Sequence, residues 1–261
     1  MNKIKETLMG KKSFVPFITA GDPSLDKTEE FIIKMAEAGA GLIEIGIPFS
    51  DPIAEGPVIM DANVRALSNP DGCTTDQVFE MVERVSKKVD VPMVFLTYLN
   101  PVYVYGPERF CNRCKEVGIS GIIIPDMPYE EKEEILPAAK AAGIDVISMI
   151  APTSKDRIQM IAKEATGYIY VVSSLGVTGV RSEITTDLGE IVKQIKEVTD
   201  TPACIGFGIS TPEQADKYAR VADGVIVGSA IVKIVAEHGA DAGPYIYEYV
   251  KKMVETVEAV I

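Results

Sequence analysis

Two glutamates, eleven positions apart, are candidates for proton transfer. Glu44 and Glu55 both lie in IEIGIPFSDPIAEGP (43–57), which also contains Asp51. Glu44 alternates with isoleucines on either side, a spacing of two that is typical of a β-strand with two distinct faces. Glu44 is therefore predicted to point away from the isoleucine face, whereas Asp51 and Glu55 fall between prolines in the loop that follows.

The elements that would position these acids recur along the chain. Eight short apolar runs, rich in β-branched residues, alternate with amphipathic stretches of helical spacing. The runs are FVPFITA (14–20), LIEIGI (42–47), PMVFLTY (92–98), GIIIPD (121–126), DVISMIA (145–151), GYIYVVS (167–173), PACIGFG (202–208) and DGVIVGS (223–229). This alternation predicts a parallel sheet covered by helices.

Eight strand–helix units in 261 residues predict an α/β fold, a single (β/α)8 TIM barrel with an extra helix at its N-terminus. We expect one domain spanning residues 1–261, because no linker or low-complexity segment interrupts the rhythm. A doubly wound sheet is the competing architecture. It is less favoured because no GxGxxG follows the first strand and fewer strands are usual at this length.

Glu44 gains a location from this fold, because active sites of such barrels lie at the C-terminal ends of the strands. None of the eight runs contains Lys, Arg or His, so no strand offers Glu44 a cationic partner. Burial without a cation predicts a raised pKa and a carboxyl group that gives and takes a proton near neutral pH. The alternative is a buried acid held by hydroxyl groups. The candidates for those hydroxyls are Thr97, Ser148, Tyr168 and Tyr170.

Glycines follow the last three strand runs. The segments are SSLGVTG (173–179), GFGIS (206–210) and GSA (228–230). In barrels of this kind, loops after the last two strands commonly bind phosphate through backbone N–H groups. We therefore predict a phosphate site, with simple turn glycines as the alternative. The residues expected to offer N–H groups are Gly179, Gly208, Gly228 and Ser229.

Composition excludes several other functions. A formal net charge of −12 with no basic run argues against nucleic acid or an anionic membrane as a partner. No segment approaches the roughly 18 apolar residues of a membrane span, and the N-terminus lacks the apolar stretch of a signal peptide. The single histidine, His238, follows the last strand and is predicted to be a surface or cap residue, so no metal site is predicted. The reaction class that remains is proton transfer by carboxylates on a phosphorylated small molecule.

The four cysteines include a CxxC pair, Cys111 and Cys114, which raises zinc or redox chemistry as one interpretation. Phe110, Cys114 and Val117 share a helical spacing, and no second CxxC or neighbouring histidine is present. Thiols packed on a helix face are therefore the favoured interpretation. It predicts a reduced, cytoplasmic protein.

Five segments that follow one another along the chain carry a further signal. They are FVPFITAGDP (14–23), IEIGIPFSDPIAEGP (43–57), SSLGVTGVR (173–181), GFGISTPEQ (206–214) and VGSAIVK (227–233). Together they closely resemble the tryptophan synthase α subunit family, over essentially the whole chain, and PFSDP is highly specific. The resemblance implies a (β/α)8 barrel that cleaves indole-3-glycerol phosphate to indole and glyceraldehyde 3-phosphate, for tryptophan biosynthesis.

The resemblance also implies residue roles. It places the acid–base group on Glu44 and the acid that polarises the indole N–H on Glu55. Here the chain departs from the family: AEGP stands where ADGP is common, so the carboxylate is one methylene longer. The substrate-binding positions that it implies are Phe17, Tyr170, Thr178, Gly179, Phe207, Gly208, Gly228 and Ser229. Thr178 would lie in a mobile loop that closes over substrate.

A partner is implied as well. The resemblance predicts a β subunit that carries pyridoxal phosphate, in an α2β2 assembly, with no cofactor in this chain. The rim residues expected to face that partner are Pro48, Asp51, Asn100 and Pro128.

Two other functions stay open. A different phosphate-binding barrel, an isomerase or epimerase, would need a pair of acids at opposite strand ends, and Asp126 is the only other strand-end candidate. A weakly catalytic subunit whose main task is to activate a β subunit is the second, and the presence of Glu55 keeps it open.

Overall fold

One parallel sheet organises the chain, of which the computed structural model describes residues 3–173 and 187–260. Its strands run in the order β5-β4-β3-β2-β1-β9-β8-β7-β6. They are β1 (Ser13–Thr19), β2 (Ile43–Gly46), β3 (Met93–Leu96), β4 (Ile119–Ile123), β5 (Asp145–Val146), β6 (Ser148–Ile150), β7 (Ile169–Val172), β8 (Ala203–Gly206) and β9 (Gly224–Val227).

The sheet closes at the fifth predicted run, which is divided into two short strands. β5 pairs with β4 and β6 pairs with β7, and the residue between β5 and β6 is Ile147. The N–H of Ile147 donates to the carbonyl of Ile122 at 2.9 Å, which extends the ladder on the β4 side. The fifth run thus serves both ends of the sheet, and the predicted (β/α)8 barrel is confirmed.

Helices surround the sheet and connect its strands. Those within the described residues are α1 (Lys3–Leu8), α2 (Leu25–Glu37), α3 (Pro57–Leu67), α4 (Thr75–Val85), α5 (Leu99–Tyr105), α6 (Pro107–Val117), α7 (Leu136–Ala142), α8 (Lys155–Glu164), α9 (Leu188–Lys196), α10 (Pro212–Ala219), α11 (Ser229–His238) and α12 (Gly243–Glu258). Local sequence fixes several of their starts. Reciprocal side-chain and backbone hydrogen bonds cap α4 through Thr74 and Gln77, and α10 through Thr211 and Gln214.

Two apolar layers hold the barrel together. The outer layer lies between strands and helices and contains Ile43 and Ile45, as the alternation in β2 predicts. The inner layer fills the barrel and contains Ile4 and Leu8 of α1, both completely buried. The extra N-terminal helix therefore closes the end of the barrel opposite the strands' C-terminal ends, and Glu44 lies above this floor.

The predicted packing of the two thiols on a helix face is confirmed, since Cys111 and Cys114 lie on α6 with no exposed surface. Burial raises the pKa of the Cys111 thiol to about 11. Within residues 3–173 and 187–260, no group of three or more His, Cys, Asp or Glu could hold a metal ion. None of the helices in these ranges is both long and apolar enough to cross a membrane.

Candidate active site

A cavity lies at the C-terminal ends of the strands. It is lined by strand ends and by the loops that follow β2, β8 and β9. Eight of the ten residues implied for catalysis and substrate binding line it. These are Phe17, Glu44, Glu55, Tyr170, Phe207, Gly208, Gly228 and Ser229. The other two, Thr178 and Gly179, lie outside the described residues.

Glu44 lies on β2, points into the barrel and is 1% exposed. Its carboxylate Oε1 accepts a hydrogen bond from the Tyr168 hydroxyl at 2.5 Å. Burial raises the pKa of Glu44 to about 8, and the hydrogen bond from Tyr168 opposes that rise only in part. One hydroxyl therefore holds the acid, as the alternative interpretation of Glu44 proposed, yet the carboxyl group remains largely protonated at neutral pH.

Glu55 lies in the loop between β2 and α3 and is 8% exposed. Its Oε2 accepts a hydrogen bond from the Asn63 amide of α3 at 2.6 Å, and the Tyr98 hydroxyl also hydrogen-bonds to it. The same Tyr98 hydroxyl accepts from the backbone N–H of Ala54 at 3.3 Å. Burial raises the pKa of Glu55 to about 7, against the opposing effect of these two partners. The carboxylate is thus held by two hydrogen bonds, and its pKa lies close to neutral pH.

Aromatic side chains form an apolar slot beside the two acids. Tyr170 and Phe207 meet edge to face, with ring centroids 5.8 Å apart and planes at 78°. Two glycines make room for the rings: a Cβ on Gly206 would lie 2.3 Å from the Tyr170 hydroxyl, and a Cβ on Gly46 would lie 2.7 Å from Phe17 Cζ. Such a slot suits a flat, largely apolar ligand.

The opposite part of the cavity offers backbone N–H groups. Gly228 precedes the first residue of α11, Ser229, at a helix end whose first N–H groups have no intrahelical acceptor. Gly208 lies in the neighbouring turn after β8 with a φ of 77°. No Lys, Arg or His is among the described residues that line the cavity. An anion here would be held by backbone dipoles.

The rim residues differ in exposure. Asp51, Asn100 and Pro128 are exposed, whereas Pro48 is buried beneath the loop. The Ser50 hydroxyl donates to the Asp51 carboxylate at 2.5 Å. Three of the four implied partner contacts therefore lie on an accessible surface of this chain.

The remaining acid and the histidine lie outside the cavity lining. Asp126 accepts a hydrogen bond from the backbone N–H of Leu99 at 2.9 Å, so it caps the start of α5. His238 is the last residue of α11, as expected of a cap residue, and its ring stacks on Tyr245 with centroids 3.6 Å apart.

Three side chains that position the acids were not among the site residues predicted from sequence: Tyr168, Asn63 and Tyr98. Tyr168 was one of four hydroxyl candidates, and only the closed barrel, which brings it across to Glu44, selects it. Asn63 lies eight positions after Glu55, which places it on the second turn of α3, but its direction depends on how that helix packs.

Comparison with known proteins agrees with this geometry. Residues 3–260 match the family described as Tryptophan synthase alpha chain. The alpha chain of Lacticaseibacillus casei is 47% identical over 259 residues, which cover 99% of this chain and 97% of that one. The crystal structure of the alpha chain from Legionella pneumophila superposes with a TM-score of 0.88 at 34% identity, covering 98% of this chain and 97% of that chain.

A solved α2β2 complex of tryptophan synthase is also similar. It comes from Pyrococcus furiosus, a hyperthermophile, and is described in terms of mutual activation. The matching chain superposes with a TM-score of 0.85 at 34% identity, covering 93% of this chain and 98% of that one. Sequence similarity along nearly the whole length and the shared barrel lead to one conclusion: this chain belongs to the tryptophan synthase alpha chain family.

Proposed function

We propose that Glu44 and Glu55 carry out the reaction of this family, the retro-aldol cleavage of indole-3-glycerol phosphate to indole and D-glyceraldehyde 3-phosphate. The observation that supports this most directly is Glu44 itself: a buried acid with a pKa raised to about 8, at the wall of an apolar cavity. Such a group is able to donate a proton at neutral pH and take one back.

The cleavage needs two proton movements, which one carboxyl group supplies in turn. The protonated Glu44 gives its proton to indole C3, because an unprotonated indole is a poor leaving group. The resulting carboxylate then takes the proton of the hydroxyl on the adjacent glyceryl carbon. As that C–O bond becomes a carbonyl, the C–C bond to the ring breaks, its electron pair returns to the indole, and Glu44 ends protonated.

Glu55 acts on the ring nitrogen. Protonation at C3 leaves positive charge on the indole ring, and an ionised carboxylate that accepts a hydrogen bond from the ring N–H stabilises that charge. With its pKa raised to about 7, Glu55 is about half ionised at neutral pH. Its hydrogen bonds to Asn63 and Tyr98 hold it in place for this role.

The slot and the N–H groups at opposite parts of the cavity support binding of the rest of the substrate. We assign the indole ring to the slot formed by Phe17, Tyr170 and Phe207. The phosphate is assigned to the N–H groups near Gly208, Gly228 and Ser229, with Thr178 and Gly179 as further predicted contacts. The described residues that line the cavity include no Lys, Arg or His, which supports backbone N–H groups as donors to the phosphate.

A β subunit that carries pyridoxal phosphate is the proposed partner, in an α2β2 assembly in the cytoplasm; this chain itself is proposed to need no cofactor. Asp51, Asn100 and Pro128 form the proposed contact surface. Ile53 is 70% exposed in the same loop as Asp51, and Tyr103 is 69% exposed on the same helix as Asn100. Exposed apolar side chains next to polar ones are typical of a protein interface.

The isomerase alternative is weaker, because it needs a second acid at a strand end opposite Glu44. Asp126, its only candidate, accepts the N–H of Leu99 and does not line the cavity.

One assay separates the remaining functions: indole release from indole-3-glycerol phosphate by this chain, alone and with a saturating β subunit, with Glu44→Gln as the inactive control. A regulated lyase is slow alone and much faster with β, whereas a standalone lyase shows equal rates. If the wild type is no faster than Glu44→Gln under both conditions, the proposed reaction is wrong and the activator role is favoured.

A further inference from the structure

The turn after β8 contains an unusual backbone conformation. Phe207 has a φ of 75°, and it is the non-glycine residue with a positive φ within the described ranges. A side chain in this left-handed region costs free energy, so surrounding contacts have to hold it. Gly208 follows with a φ of 77°, so two consecutive residues turn the chain at the edge of the cavity.

Ser173, the residue directly after β7, holds this turn. Its hydroxyl donates to the carbonyl oxygen of Phe207 at 2.7 Å, and its backbone N–H donates to the carbonyl of Gly206 at 3.2 Å. The side chain is buried, with 2% of the residue exposed, and Ser173 is not part of the cavity wall. The hydroxyl therefore contacts the turn from a residue that is not among those lining the cavity.

The direction of one hydrogen bond determines the direction of another. In a trans peptide the C=O and the following N–H point in opposite directions. Because the Phe207 carbonyl points to Ser173, outside the cavity wall, the N–H of Gly208 points the other way. Gly208 lines the cavity, so this N–H is directed to the part proposed to hold phosphate.

Other side chains hydrogen-bond to the far end of the turn, at Ser210, and not to the Phe207–Gly208 peptide. The Tyr249 hydroxyl donates to the carbonyl of Ser210 at 2.9 Å, and the Ser210 N–H donates to Gln214 Oε1 at 2.8 Å. Within the part of the chain that the structure describes, Ser173 supplies the side-chain hydrogen bond to the Phe207 carbonyl.

We infer that Ser173 is a positioning residue for phosphate binding: its hydroxyl holds the Phe207–Gly208 peptide so that the Gly208 N–H is presented to the phosphate of the substrate. This rests on the proposed function of the cavity. The hydroxyl itself does not touch the ligand.

The test compares Ser173→Ala, Ser173→Cys and Ser173→Thr with the wild type. Cys keeps the shape of Ser but is a weak donor, whereas Thr keeps the hydroxyl. We expect Ala and Cys to raise KM for indole-3-glycerol phosphate and Kd for sn-glycerol 3-phosphate about 5- to 10-fold, as for loss of one hydrogen bond. kcat is expected to stay within about twofold, and Thr should restore binding.

A matched control is Ser13→Ala. Ser13 is 3% exposed and its hydroxyl is buried without a hydrogen-bond partner, so this variant removes a buried hydroxyl far from the turn. It should leave KM and Kd unchanged. Thermal unfolding of all variants measures any loss of stability separately.

The Gly208 amide resonance provides a direct measurement. In the wild type it should shift when sn-glycerol 3-phosphate is added, and in Ser173→Ala that shift should be much smaller. If Ser173→Ala binds as tightly as a wild type that does bind and cleave, the inference about Ser173 is wrong while the proposed function stands. If the wild type itself binds no glycerol phosphate, the phosphate assignment and this inference both fail.

Discussion

Glu44 and Glu55 line one cavity but are held by different kinds of structure. Glu44 is fixed by the backbone of β2, and among the described residues its carboxylate accepts one side-chain hydrogen bond, from Tyr168. Glu55 lies in a loop, and its position depends on two side chains from other elements, Asn63 and Tyr98. Burial raises both pKa values, to about 8 and about 7, with the better-solvated and better-bonded loop residue rising less.

The proposed mechanism gives the two carboxyl groups different tasks, and this difference in support fits them. A rigid strand suits a group that moves a proton between two atoms of the substrate, since small displacements are costly there. A loop held by side-chain contacts is expected to tolerate a change in side-chain length, such as the Glu at position 55 where the resemblance leads us to expect Asp. The predictions below test that division.

The largest effect is expected for Glu44→Gln. The amide has the same shape and still accepts the Tyr168 hydroxyl, but it cannot cycle a proton. We expect kcat for indole release to fall by about four orders of magnitude, the upper range for a general acid–base group. The affinity for sn-glycerol 3-phosphate should be unchanged. Activity within a few-fold of the wild type would remove Glu44 from the mechanism.

A smaller loss is expected for Glu55→Ala, about two to four orders of magnitude in kcat, because the ring N–H loses its acceptor. Glu55→Asp should retain measurable activity, since a carboxylate remains in a loop whose contacts can adjust. The rates of the two variants, measured side by side, test the loop argument. A nearly silent Glu55→Ala would favour a chain that is chiefly an activator.

The pH dependence of kcat/KM should be bell-shaped. Glu55 has to be ionised, so activity falls below its pKa of about 7, and Glu44 enters protonated, so activity falls above its pKa of about 8. Two units beyond either limit, the rate should be down about a hundredfold. A profile measured from pH 5 to pH 10 checks this. A flat profile across that range would exclude both assignments.

Asn63→Ala should reduce kcat/KM about tenfold, the loss of one hydrogen bond to a charged group. It should also shift the acidic limb of the pH profile upward, because the Asn63 amide lowers the pKa of Glu55. Asn69→Ala is the matched control: this amide lies just beyond α3 and donates to the carbonyl of Pro23 at 2.8 Å. Equal effects of the two variants would mean that α3 packing, rather than Glu55, is affected.

A further effect concerns stability, not rate. The folded protein binds the Glu44 proton more tightly than the unfolded chain, so this residue's contribution to the free energy of unfolding decreases as pH rises from about 4.5 to about 8. Glu44→Gln should therefore gain stability over the wild type across that window, by on the order of a few kcal/mol at pH 8. Urea unfolding at pH 5 and pH 8 measures the difference. A constant difference would show that Glu44 does not titrate in this range.

The sequence was sufficient to predict Glu44 inside the barrel, because a period of two determines which face a strand residue occupies. It did not select between Tyr168 and Tyr170, which lie two positions apart and so share that face. Their height relative to Glu44 depends on the stagger of the strands around the ring, and this follows only from the closed barrel.

Helix contacts were harder still to predict. Asn63 and Arg65 both lie on α3, yet Asn63 binds Glu55 while Arg65 forms a two-point ion pair with the buried Asp22, at 2.9 and 2.7 Å. Periodicity shows that the two point in different directions, but not which one points to the cavity. The division of the fifth run at Ile147 also results from closure of the barrel, and the local sequence pattern does not predict it.

The floor of the barrel has a consequence for the chemistry above it. Ile4 and Leu8 of α1 close the lower end. Gly121 of β4 leaves space for Ile4, because a Cβ on this glycine would lie 3.1 Å from Ile4 Cδ1. This helix places an apolar layer of low polarity under the carboxyl group. It keeps water from reaching Glu44 from below, so a change confined to residues 3–8 that admitted water would lower the pKa of a carboxyl group on a different element. Less of that group would then be protonated at neutral pH, and it would have no proton to donate.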